Sequence, residues 1–399
     1  MSIIKNIYAY TLGEIFSKVI PFLILPYLTR KLGVAGYGQL SEYQVYYALC
    51  LVVISLSFPG SISKYFYRYG SKGLRYVELA CYFYGIMLSI ALITASLVYS
   101  SELLFYASIV AFSQTILNVQ LAIRQCQKLA VEFIQIQITT GLTSAILTVI
   151  LLELVSSSFE YRVIAIFFAN ISSFVFAFIK NKKKNDRKLN ITKYRFKISM
   201  LYVLSFGLPL ILHQFGYFMK GYLDRIIIID FYSLEQLGLY SASFQIASVL
   251  SVIISAVNSA VVPYYYEKIK IRKIQKSDVY KYVLFSLIFV PIPYLFLLMI
   301  PDYVYSFILG SKYVGVSSYV TKFTIGLSLN IPYLIVLNFL LYHGKNKQIA
   351  FTTLATGSIY VLLVYILCGI DINYVPYAIA ISNMFNIFFL SFVMRKIND

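Results

Sequence analysis

The sequence predicts an all-α polytopic membrane protein of about twelve transmembrane helices in two six-helix lobes. Three observations predict it. First, 60% of the 399 residues are apolar, room for roughly twelve spans of about 20 residues each. Second, only 13% are charged, well below what a soluble protein carries. Third, the runs are continuously apolar rather than alternating in facing, which excludes a β-barrel. A soluble fold could not hide this much apolar surface, so a soluble enzyme is excluded.

Windows of about 20 residues, set against their polar flanks, place spans at 6–28, 39–59, 77–99, 103–123, 131–152 and 162–180. A second set follows at 199–219, 239–262, 281–300, 319–342, 349–369 and 375–394. The first run continues to Leu28 with no small-residue cleavage site, so no cleavable signal peptide is expected. Orientation follows from the basic residues, which also account for a net charge of +18. The even-numbered connections hold Lys64, Arg68, Lys72, Arg75, Arg124, Lys128, then a cluster from Lys268 to Lys281, then Lys345 and Lys347. The odd-numbered ones carry only Arg30, Lys31, Arg162, Arg225 and Lys312, with Lys220 at a helix end. The positive-inside rule then puts both termini and the even connections in the cytoplasm, and nucleic acid is not a partner.

The stretch KNKKKNDRKLNITKYRFK from Lys180 is the one break in composition. It sets the expected organisation: an N-terminal lobe at 1–180, a basic cytoplasmic linker at 181–198 and a C-terminal lobe at 199–399. Six helices per half give both halves the same topology, so a pseudo-twofold axis would run along the membrane normal. Sliding by 200 residues aligns Leu12 with Leu212, Gly38 with Gly238 and Ser41 with Ser241, while Glu14 meets Gln214. Chance alone can produce that many matches in oily sequence.

Ionisable side chains inside spans are costly and mark function by default. Glu14 and Lys18 in the first span stand at i, i+4 in the favourable order for an ion pair. Pro21 and Pro26 follow and leave backbone carbonyls free. The seventh span, opening the second half, is interrupted by Gly207, Pro209 and Gly216, with His213 four residues after the proline. A Pro/Gly-interrupted segment in each half points to the central site of a transporter. Lys220, Asp224 and Arg225 lie near its outer boundary, a position that equally suits a snorkelling cluster. Lys322 opens the tenth span without a local acidic partner. The intramembrane amides Asn118, Gln135, Asn170, Gln245, Asn258, Asn330, Asn338, Asn383 and Asn386 read chiefly as bonds between helices.

Cys50, Cys81, Cys126 and Cys368 lie far apart in apolar runs with no CxxC pair, and read as small buried hydrophobes rather than a disulfide framework or zinc site. With 38 tyrosines and no tryptophan, tyrosines such as Tyr43, Tyr46, Tyr47, Tyr264, Tyr265 and Tyr266 are expected to form the interface belts. No phosphate loop, HExxH, DxD or GxSxG occurs, and no cofactor is expected.

Two blocks then carry a resemblance. NIYAYTLGEIFSKVIPFLILPYLTRKLGVAGYGQLSEYQ, with its "PYLTR-LG…YG" core, and DRIIIIDFYSLEQLGLYSASFQIAS from Asp224 are similar to landmarks of the Wzx-type O-antigen flippases, within the multidrug/oligosaccharidyl-lipid/polysaccharide superfamily. Val34 and Ala35 depart from the proline or acidic residue that often follows "LG" there. The resemblance implies two six-helix lobes around a central cavity in a bacterial inner membrane protein. It also implies transfer of an undecaprenyl-diphosphate-linked repeat unit from the cytoplasmic to the periplasmic leaflet, with a polysaccharide polymerase and a chain-length regulator as functional partners. On that pattern Arg30 and Arg225 are the cationic positions carried over.

A diphosphate pairs well with Lys and Arg. The expected substrate-binding set is therefore Lys18, Arg30, Lys220, Arg225 and Lys322, and the expected coupling set is Glu14, His213 and Asp224. Two rivals stand beside this reading: an O-antigen polymerase-like membrane enzyme, disfavoured by short outer loops, and a drug or ion antiporter of the same superfamily.

Overall fold

The computed structural model describes residues 3–184 and 192–396, with side chains described for 19–180, 192–212 and 214–396. Every regular element among these is helical. The first half contains α1 (Ile3–Ser55), α2 (Phe58–Tyr69), α3 (Leu74–Val98), α4 (Glu102–Cys126), α5 (Ala130–Leu154) and α6 (Phe159–Lys184). After the basic stretch come α7 (Lys193–Phe231), α8 (Leu234–Lys270), α9 (Lys276–Leu287), α10 (Pro291–Leu298) and α11 (Asp302–Leu309). The chain ends with α12 (Val316–Ser328), α13 (Asn330–Tyr342), α14 (Asn346–Cys368) and α15 (Tyr377–Arg395).

Eleven of the described helical runs are long and apolar enough to cross a membrane. The first, Val19–Tyr69, runs through the first two expected spans without a conventional loop, because the break is a single residue. Gly33 adopts φ 71°, ψ −177° inside α1, a conformation closed to ordinary side chains. The ninth and tenth expected spans are each broken in two, at Ile288–Val290 and at Leu329. Pro291, Pro293 and Pro332 lack the amide hydrogens that would have continued the ladder there. Local caps fix other boundaries: Ser101 accepts from the Leu104 amide at the start of α4, and Ser233 and Gln236 form a reciprocal capping box for α8.

The chain divides into two compact units. One comprises Met1–Ile24 and Glu42–Gln214. Its hub is α4, which packs on α2, α3, α5 and α6. Leu56, Phe58 and Ile62 meet Val77, Cys81, Val119 and Val203 in its main core, while Leu117, Phe133, Ile136 and Ala177 form a second cluster. The other unit comprises Leu25–Ser41 and Phe215–Asp399. There α12 and α13 are central: α12 packs on α8, α10 and α15, and α13 on α8, α9 and α15. Val279, Val336, Phe339, Ile349, Leu390 and Met394 supply its core.

Much of the remaining apolar surface faces outward. Along α9 and α10, Leu284, Phe296 and Met299 are 67%, 64% and 82% exposed, as lipid-facing side chains should be and as soluble proteins avoid. The four cysteines are buried and unpaired. Tyr43 departs from the belt expectation: it is 2% exposed and stacked on Tyr47, its ring spent on packing inside the first unit.

The seventh span also differs from expectation. α7 runs unbroken through Gly207, Pro209 and Gly216. Its glycines are places of close approach rather than interruptions. A side chain at Gly207 would overlap Leu56, and one at Gly216 would press within 3.2–3.5 Å of Leu354 and Thr353 on α14. Small residues at such crossings are how membrane helices gain contact when lipid offers no hydrophobic drive.

Candidate functional site

Asp224 and Arg225 lie late on α7 and are almost fully covered, at 3% and 4% exposure. Adjacent residues on a helix ordinarily diverge, yet here the Arg225 guanidinium folds back to Asp224 Oδ1 at 3.1 Å and donates to the Gly221 carbonyl at 2.5 Å. Tyr240 of α8 donates to the other carboxylate oxygen, Asp224 Oδ2, at 2.7 Å. The guanidinium sits 5.4 Å from the Tyr222 ring centre and 5.3 Å from that of Phe244. Tyr240 and Phe244 both pack against Phe323 of α12. Buried charges survive only when paired and hydrogen-bonded, and this pair is both, although Arg225 Nε finds no acceptor among the described residues.

Lys322 lies beside Phe323, its ammonium 6.0 Å from the Tyr319 ring centre. Tyr319 is in edge contact with Tyr240, so an aromatic bridge links Lys322 to the Asp224–Arg225 pair. Lys220 is half-buried one turn before Asp224. Among the described residues neither Lys220 nor Lys322 has a hydrogen-bonded or ion-paired partner. Arg30 is exposed on α1 just before the Gly33 break; it donates to the Phe307 carbonyl of α11 and covers the Phe307 ring at 5.8 Å. Five of the expected residues thus fall in one unit, four of them around α7 and α12. The remaining three, Glu14, Lys18 and His213, lie on α1 and α7, with their side chains outside the described residues.

The expected role of the amides is realised in three places. Asn170 donates to Ser113 at 3.1 Å, Asn338 to Asn258 at 2.8 Å, and Asn383 to the Gly326 carbonyl at 2.9 Å, each joining two helices.

Two features escaped the sequence reading. Glu42, on α1, is half-buried with no hydrogen-bonded or ion-paired partner among the described residues; the rule applied to Glu14 picks it out once the second span is searched. The second is a buried network. Gln120 of α4 donates to Glu78 of α3 at 2.7 Å, Tyr82 donates to the same carboxylate at 3.1 Å, and Arg124 donates to Gln120 and to the Ala177 carbonyl of α6. Glu132 of α5 stands 3.7 Å from Arg124. Arg124 was counted with a loop; it is 1% exposed and ties four helices together. Its only sequence signal was a glutamate eight residues on.

A hollow of about 730 Å³ lies between the α3–α4 and α5–α6 ends of the first unit, with Ser100, Glu102, Tyr106, Ser158, Glu160 and Tyr161 in its wall. No basic side chain lines it, so it has no means of holding a diphosphate.

The chain is similar along all or nearly all of its length to known proteins. An Lsg-locus protein of Haemophilus influenzae is 42% identical over 402 residues, covering 100% of this chain and 99% of the relative. A protein of the same organism described as a membrane protein is 40% identical over 380 residues, covering 95% of this chain and 93% of the relative. In fold, the chain is similar to an inward-facing multidrug resistance MATE family transporter of the MOP superfamily, with a TM-score of 0.68 at 14% identity, over 96% of this chain and 99% of that one. An outward-facing member of that family gives a TM-score of 0.64 at 16% identity, over 98% and 94%. Residues 3–269 match the family described as polysaccharide biosynthesis protein. With that match and those relatives, the chain is a member of the polysaccharide biosynthesis protein family, built on the fold of the MATE transporters.

Proposed function

We propose that the protein is a flippase, moving an undecaprenyl-diphosphate-linked O-antigen-type repeat unit from the cytoplasmic to the periplasmic leaflet of a bacterial inner membrane, with both termini in the cytoplasm. The observation that carries the reading is the family match over residues 3–269, supported by a fold shared with a MATE family transporter along nearly the whole chain.

Two groups of cations support it from within the second unit. Of the candidate cations with described side chains, Lys220 and Lys322 have neither a hydrogen-bonded nor an ion-paired partner among the described residues, and each is proposed to take a diphosphate oxygen. Arg225 is committed to Asp224 and Gly221, its charge balanced there; its part is to answer any change in Asp224. Arg30, exposed on α1, completes the cations of that unit; Lys18, Glu14 and His213, whose side chains lie outside the described residues, are proposed beside them, Lys18 as a cation and Glu14, His213 and Asp224 as the groups that change protonation. The polyprenyl tail stays in lipid while the sugars need a wet path. Assembly of the flipped units falls to a polymerase and a chain-length regulator acting on the product.

Deleting the gene in its host tests the reading: lipid-linked single repeats should accumulate on the cytoplasmic face. Polymerised chains still reaching the surface, with no substitute flippase present, would refute it. The shared MATE fold favours a second reading, a drug or ion antiporter; that reading gains if deletion leaves the glycan intact and sensitises the cell to cationic drugs.

A further inference from the structure

Within the first unit the end of α2, the first turn of α3 and the start of α7 meet, and there the chain mounts cations on aromatic rings. On α2, Lys64 and Arg68 stand at i, i+4, and Tyr65 and Tyr69 form the next row along the same helix. Tyr202 of α7 joins the helices. Its ring lies 5.4 Å from that of Tyr65 and 6.4 Å from that of Tyr69, and its hydroxyl donates to the Ser61 carbonyl at 3.2 Å. The Tyr65 hydroxyl lies against Gly73 in the turn into α3, where a side chain would overlap it. Each cation rests on a ring. Lys64 Nζ is 5.0 Å from the Phe206 ring centre, the Arg68 guanidinium 5.4 Å from Tyr69 and that of Arg195 5.9 Å from Tyr76. Such a contact positions the charge while leaving N–H donors open to acceptor oxygens. All three cations are exposed, and among the described residues none has a hydrogen-bonded or ion-paired partner. No Asp or Glu occurs from Tyr43 to Val77 or from Thr192 to Leu223.

Membrane orientation asks only for an excess of Lys and Arg on one side. It does not require that acids be absent or that the cations sit on rings. The basic cluster from Lys268 shows the difference: Glu267 and Asp278 stand among its lysines, and Lys281 lies 3.9 Å from Asp278. The surroundings of the first-unit edge also have the profile of a lipid. Tyr67 and Tyr69 are exposed beside Arg68, as amphipathic rings are at headgroup level. Farther along the helices the exposed side chains are apolar, with Phe83 and Met87 on α3 and Ile198 and Leu201 on α7. A cationic rim above an apolar wall complements a negative headgroup carrying acyl chains; a soluble acidic partner would have no use for the wall.

We propose that this edge is a docking site for an anionic glycerophospholipid of the surrounding membrane, its phosphate held by Lys64 and Arg68 with Arg195 beside them, and its acyl chains lying along the apolar side chains of α3 and α7.

The test is lipid binding to the full chain, purified in detergent and read by native mass spectrometry. It involves no transport, so its outcome is separate from the flippase assignment. Wild type should retain phosphatidylglycerol and release phosphatidylcholine at the same concentration. The triple variant Lys64→Gln, Arg68→Gln, Arg195→Gln should bind phosphatidylglycerol at least about tenfold more weakly, each cation at an anionic lipid surface being worth about 1 kcal/mol. The control is Lys268→Gln, Lys270→Gln, Lys273→Gln, which removes the same charge from exposed positions in the other cluster and should bind as wild type does. Undecaprenyl phosphate, added to wild type at equal concentration, should not displace the phospholipid. Three results each overturn the proposal: wild type holding both phospholipids alike, both triple variants losing affinity equally, or displacement by undecaprenyl phosphate, which would give the edge to the cargo.

Discussion

Tyr240 of α8 donates its phenolic hydrogen to Asp224 of α7 at 2.7 Å, closing the second oxygen of a carboxylate whose first oxygen faces Arg225. The Tyr240 hydroxyl is thus one of the groups that satisfy a buried charge on α7.

Replacing Tyr240 by Phe leaves Asp224 Oδ2 without its donor, and removing one partner of a buried polar pair costs about 1–3 kcal/mol. Asp224→Ala goes further, stranding the Arg225 guanidinium in a dry site at about 3–5 kcal/mol. Thermal unfolding of the detergent-purified proteins should rank them wild type, Tyr240→Phe, Asp224→Ala. The double variant Asp224→Leu, Arg225→Met should recover most of the loss. Failure to recover would show that the pair is retained for more than its own neutralisation.

Lys322 touches a Tyr319 ring and no anion among the described residues, so Lys322→Gln should change stability by no more than about 1 kcal/mol, the value of an exposed cation–π contact. Export of lipid-linked glycan should nonetheless fall, and more steeply when Lys220→Gln is combined with it. Normal export from a stable double variant would remove both lysines from the substrate path.

Arg124 is the knot of the first unit. Arg124→Lys keeps the charge but cannot reach Gln120 and the Ala177 carbonyl together, because those bonds use separate nitrogens of the guanidinium fork. We expect the lysine variant to be nearly as destabilised as Arg124→Ala in a thermal melt. Equal stability of the lysine variant and wild type would show that charge alone holds the site.

The Asn338–Asn258 bond between α13 and α8 should contribute modestly. Interhelical hydrogen bonds in membrane proteins average about 0.6 kcal/mol and reach about 1.7, so Asn338→Ala should lower the melting temperature slightly and leave the fold intact.

The spans were legible because a continuous apolar run of membrane length has few other physical outcomes. The split at Leu329 was less so: Pro332 was visible, but whether a neighbouring helix re-satisfies the freed carbonyl depends on packing that the sequence does not state. At α7 the same ambiguity misled in the opposite direction, and Gly207 and Gly216 turned out to admit Leu56 and α14 rather than to break the helix. Lys220, Asp224, Arg225 and Lys322 were found by the cost of charge in lipid, a local property. That Arg225 turns to Asp224 while Lys322 turns to Tyr319 is a matter of rotamers set by α8 and α12. Arg124 was missed because counting positive charges assigns a residue to a side of the membrane, and an arginine one turn inside α4 is counted like one in the loop.

The geometry of Gly33 has a consequence for how the chain can be inserted at all. As an uninterrupted rod, the 53 residues of α1 would measure about 80 Å, against about 30 Å of hydrocarbon. A β-branched residue at position 33 would hold φ 71° only under strain, so one achiral residue is what lets this long segment bend where a rod would overrun the hydrocarbon.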